Sequence, residues 1–146
     1  MELREMLKEV FSTEGQERID FAKKQLETLS EELGRIGVDG QNKGTMILEI
    51  IKLFVRADHH TSYEEYTFLR DLFGFHLSFQ EFRHKIHTPH PDNFEETLET
   101  IVKSFSYEGR LAFCYFGLCL IESDEKMEPT ERALIERVIK IDLTED

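Results

Sequence analysis

Basic residues are scarce in this chain. Lys and Arg total 18 against 30 Asp and Glu, a net charge of −12. Binding to nucleic acid rests on Lys and Arg neutralising phosphates, so the balance argues against that class. It argues against adhesion to an anionic bilayer for the same reason. A cation, a basic protein partner, or plain solubility is compatible with the imbalance. Cysteine is scarcer still: Cys114 and Cys119 stand five apart in one apolar stretch. That placement reads as small buried hydrophobes in a reducing compartment, not as a disulfide framework or a metal clip. Long hydrophobic runs are missing. The longest uncharged one, LAFCYFGLCLI at 111–121, has eleven residues, where a bilayer needs roughly 20. The opening MELREMLKEVF has no apolar core of the kind a signal peptide carries, so a cytoplasmic protein is the expectation. The eight glycines are scattered, which leaves no phosphate-cradling loop. GxSxG, HExxH and CxxC do not occur. No stretch alternates with period two for long enough to demand a strand.

Helical periodicity is what the chain does have. ERIDFAKKQLETLSEELGRIG places Ile19, Ala22, Leu26, Leu29 and Leu33 on one face before Gly34 and Gly37. TMILEIIKLFVRAD gathers Met46, Ile47, Ile50, Ile51, Phe54 and Val55, and leaves Glu49, Lys52 and Arg56 on the opposite side. Ser62 with Glu65, and Ser78 with Glu81, read as capping boxes that open two further helices. HTPHPDN at 87–93 is a loop, because its two prolines cannot continue a helix. FEETLETIVKSF follows, with Phe94, Leu98, Ile101, Val102 and Phe105 inward. The run from Leu111 to Ile121 is apolar almost all round and predicts a central buried helix. Pro129 suits the first turn of a last helix. The whole chain, 1–146, reads as one all-α domain, a bundle of about seven or eight helices.

An internal repeat underlies this pattern. Shifted by 66 residues, Leu53-Phe54-Val55 falls on Cys119-Leu120-Ile121, Asp58 on Asp124 and Glu65 on Glu131. Phe68, Leu69, Leu72 and Phe73 then fall on Leu134, Ile135, Val138 and Ile139. Each unit is a helix, an acidic corner and an amphipathic helix, and two such units predict a pseudo-symmetric bundle.

The two corners, ADHHTSYEE and SDEKMEPTE, resemble the TerB-like family, named for a tellurite-resistance protein. Its members carry a helix ending in Ala-Asp-Gly, an apolar residue, and a Glu near the start of the next helix. With their flanking helices the matching segments cover most of residues 44 to 140. His59 and Glu125 stand where the family has Gly, and Thr61 and Met127 at the apolar position. The resemblance implies an all-helical fold, a role in stress response, and metal handling.

Two readings of the corners stand side by side. In the first, Asp58 and Asp124 reach the free N–H groups of the next helix while Glu65 and Glu131 reach back, each cap being worth ~1 kcal/mol. In the second, Asp58, Glu65, Asp124 and Glu131 converge on a divalent cation such as Ca²⁺ or Mg²⁺. An EF-hand is excluded, since its glycine position would be Tyr63 or Pro129 and its closing Glu would be Leu69 or Ile135. Glu81, His84 and His87 share a helical face and form a further candidate for a transition metal, against a solvated His-rich helix end. Di-iron bundles need Glu-x-x-His twice, and the second copy is missing. The expected function is a non-enzymatic TerB-like module for stress response or protein interaction. Beside it stand a di-iron-type metalloenzyme and a metal-free acidic adaptor for a basic partner.

Overall fold

A computed structural model of the chain describes residues 3–56 and 61–122. Seven helices, α1 Leu3–Phe11, α2 Gln16–Arg35, α3 Gly40–Val55, α4 Tyr63–Phe73, α5 Phe79–Ile86, α6 Phe94–Lys103 and α7 Tyr107–Glu122, build it, with no strand among the described residues. The all-α expectation holds. Local chemistry sets many of the boundaries. Asp39 accepts from the Asn42 N–H and caps α3, and both capping boxes form at Ser62–Glu65 and Ser78–Glu81. Gly74 ends α4 in the left-handed region at φ 71°, where a side chain would be strained. Between α1 and α2, Arg18 donates to the carbonyls of Val10 and Thr13 and so satisfies the end of the first helix.

The core is organised around α7. Every residue from Ala112 to Leu120 is buried, as the uncharged run predicts. Helices α1, α2, α3, α4 and α6 all pack on it. Each fully buried large side chain there, such as Phe113 or Phe116, stabilises the fold by about 1.5–3 kcal/mol relative to exposure. Gly117 permits the closest approach: a Cβ there would lie 2.4 Å from the Phe54 ring of α3. The same Phe54 ring sits 5.6 Å from that of Phe113. Moved by the 66-residue period, α3 would run from 106 to 121, one residue from the observed α7. The two central helices of the repeat are therefore of equal length and pack on each other. Asp58, Asp124, Glu131 and the helix expected after Pro129 lie outside the described residues.

The polar side of α3 is not solvated: Glu49 is 8% exposed and Lys52 is 1% exposed. Helical periodicity sorts residues by side but cannot show that a distant loop covers the polar side, and here the segment 87–93 does so.

Candidate functional site

The polar stripe of α3 and the segment after α5 form the most developed polar cluster among the described residues. Glu49, Lys52 and Arg56 recur three and four residues apart, so they align along one side of the helix. Opposite them, Pro89 and Pro91 forbid helix, which leaves backbone carbonyls without helical partners. Arg56 donates to the Thr88 carbonyl at 2.9 Å, and Lys52 Nζ to the Pro89 carbonyl at 3.2 Å. Lys52 Nζ also donates to Glu49 Oε1 at 2.9 Å. The other carboxylate oxygen, Oε2, lies 2.5 Å from His90 Nδ1, and the His90 ring stacks on Phe94 with centroids 4.4 Å apart. An ionised carboxylate can only accept, so Nδ1 of His90 carries the hydrogen.

Burial pushes the Glu49 carboxyl up. Hydrogen bonds from Lys52 and then His90, with the attraction of both, outweigh it and leave the group below its ordinary range. Glu49 is thus a fixed anion with both oxygens engaged, suited to clasping the loop rather than to moving a proton. Beside the clasp opens a cleft of ≈ 360 Å³, with Asn42, Thr45, Glu49, Asp92 and Phe94 among its walls.

A second clasp has the same logic. Glu32, 8% exposed, accepts from Arg35 Nε at 2.9 Å and from the Ser106 N–H at 2.5 Å. Arg35 in turn donates to the Ser104 carbonyl at 2.7 Å. Here too burial raises the carboxyl, and the bonds from Arg35 and Ser106 together bring it below the ordinary range. The carboxylate therefore meets the start of α7 from a helix 74 residues away, and completes the anion-at-N-terminus arrangement that the helix dipole favours. Gly109 makes room for it, since a Cβ there would lie 2.4 Å from Glu32 Oε1.

The residues singled out by sequence fare differently. Glu65 is 2% exposed, and its Oε1 accepts from the Ser62 N–H at 2.9 Å while Ser62 Oγ accepts from the Glu65 N–H at 3.0 Å. Its partners in the cation reading, Asp58, Asp124 and Glu131, fall outside the described residues. Glu81 is occupied in the cap of α5. His84 is exposed on that helix. His87 lies just past its end, with Nε2 3.1 Å from Thr61 Oγ1. Among the described residues, no three His, Cys, Asp or Glu side chains gather so as to hold a metal ion, so Glu81, His84 and His87 are not brought together. The two cysteines are buried free thiols, and burial pushes Cys114 up to about 12. Sequence reasoning missed Glu32, Glu49, Lys52 and His90. The only available signal was the pair of Glu-x-x-cation spacings on helices that also carry a strong apolar face.

No helix among the described residues is long and apolar enough to cross a membrane. The chain matches no protein-family model, no curated protein and no solved structure.

Proposed function

We propose that this chain is a non-enzymatic helical interaction module of the TerB-like kind, acting in stress response by engaging a basic protein partner. One observation carries the reading. The buried carboxylates Glu32 and Glu49 are held in clasps inside the fold, whereas Asp92, Glu95, Glu96 and Glu99 line the exposed start and outer side of α6. Glu99 meets Lys103 at 3.0 Å in a pair that is itself exposed. The excess of 30 acidic over 18 basic residues supplies the longer-range field that would steer a basic surface toward it.

The test uses a short oligolysine peptide titrated onto the full chain at low and at physiological salt. Binding should weaken as salt rises. The triple variant Glu95→Gln, Glu96→Gln, Glu99→Gln should bind about tenfold less well, from three exposed pairs of a few tenths to 1 kcal/mol each. Equal affinity in the triple variant removes α6 as the docking surface. A divalent ion at Asp58, Glu65, Asp124 and Glu131 belongs to the same proposal, and a melting temperature indifferent to millimolar Ca²⁺, Mg²⁺, Mn²⁺ and Zn²⁺ removes it.

A further inference from the structure

On another side of the molecule, α3, α4 and α5 leave an apolar groove of ≈ 370 Å³. Ile47, Ile51, Leu69 and Phe82 are among its walls, and Phe73, at 44% one of three exposed large apolar residues among those described, also lines it. Two features set it apart from an ordinary surface dimple. Gly44 lines it without a side chain, and a Cβ built there meets nothing within 4 Å, so space is left open along α3. The single charged residue lining it is Lys85. Its ammonium has no ion-pair or hydrogen-bond partner among the described residues, in a chain where acids outnumber bases.

We propose that this groove binds a free medium-chain monocarboxylate, its hydrocarbon lying along α3 from Gly44 to Ile51 and its carboxylate on Lys85. Charge complementarity selects the head group. One ammonium with no partner among the described residues, beside otherwise uncharged walls, fits one carboxylate, and a net charge of −12 disfavours a multiply charged anion. Size selects the tail. Gly44 to Ile51 spans about 10 Å of helix, and the volume lies at the small end of ligand sites found between helices of bundles. A protein occupant needs roughly 800 Å² of surface per partner, whereas Phe73 is the only exposed large apolar side chain this groove presents. The proposal does not depend on the acidic surface of α6.

Calorimetric titration of the full chain with hexanoate, octanoate, decanoate and dodecanoate tests it. Affinity should rise about fourfold for each methylene buried, then level off once the chain outgrows the groove. Lys85→Met should weaken decanoate by between about twofold and fivefold, the worth of an exposed ion pair, and leave decanol unchanged. Gly44→Leu should abolish binding of both by filling the groove. It should fold well, because Leu is a better helix former than Gly and the space is open. Three outcomes overturn the proposal: no binding of decanoate at millimolar concentration, undiminished binding by Gly44→Leu, or an equal loss of decanoate and decanol in Lys85→Met. Dimerisation of the wild-type chain that Gly44→Leu abolishes would assign the groove to a second copy instead.

Discussion

Replacing Lys52 by Met isolates the clasp between α3 and the 87–93 segment. Met nearly conserves the volume of the alkyl stem, so the cavity contribution is small. What disappears is the ammonium that donates to Glu49 at 2.9 Å and to the Pro89 carbonyl at 3.2 Å. Breaking a buried ion pair by removing one partner costs about 3–5 kcal/mol, because the remaining charge stays desolvated. Glu49 keeps its contact with His90, and its side chain is 11% exposed, so the lower end, about 3 kcal/mol, is the expected loss. That is a large share of the roughly 5–15 kcal/mol that holds a domain of this size together. Replacing both partners, with Glu49→Met added, removes the stranded anion. Only the Pro89 carbonyl and the partly exposed His90 then lose a contact, each worth about 1 kcal/mol. The double variant should therefore be more stable than Lys52→Met alone, with a coupling of at least ~1 kcal/mol. Urea unfolding at neutral pH, followed by far-ultraviolet circular dichroism and checked for a constant slope, gives all four free energies. If Lys52→Met costs under ~1 kcal/mol and its effect simply adds to that of Glu49→Met, the pair is an ordinary surface contact and the clasp is wrong.

Two further outcomes follow from the same contacts. Both Glu32 and Glu49 are held below the ordinary carboxylate range in the fold, so each adds stability that is fully present above its unfolded pKa and is lost as pH falls through the folded one. Acid unfolding followed by fluorescence or dichroism should be shallower in Glu32→Gln and in Glu49→Gln, and an unchanged acid transition would show that neither carboxylate is stabilised by folding. Gly109→Ala should destabilise by about 1–3 kcal/mol by overpacking against Glu32, despite the gain in helix propensity. A more stable Gly109→Ala protein would show that the carboxylate does not sit over the start of α7.

How much of this was legible in the sequence depends on the range of each interaction. Capping at Ser62–Glu65 and Ser78–Glu81 joins residues three apart, and the pattern alone sufficed. The burial of 112–120 was legible because an uncharged run has no side to offer water. The period of α3 sets Glu49 and Lys52 opposite the apolar face, but it does not show that they are buried. What buries them arrives 37 to 41 residues later, and no local period encodes that. His90 continues the three-residue spacing of His84 and His87 but is not on their helix. Pro89 takes it off the helix and Glu49 receives it. The contact of Glu32 with Ser106 was invisible for the same reason of distance, and Gly109, the glycine that permits it, looked like any other small residue.

The enclosure of α7 has a kinetic consequence. A helix with no solvated side gains little from forming alone, so partial opening of the bundle releases an uncharged, aromatic-rich segment, 111–121, into water. Such a segment self-associates when exposed. What opposes association is the repulsion between chains of net charge −12, which vanishes near the isoelectric point of about 4.9. Heating is then a race between refolding and aggregation, and the apparent midpoint should depend on scan rate most strongly at mildly acid pH. The acidic excess serves the fold as colloidal protection for its most hydrophobic helix, whatever it also recruits.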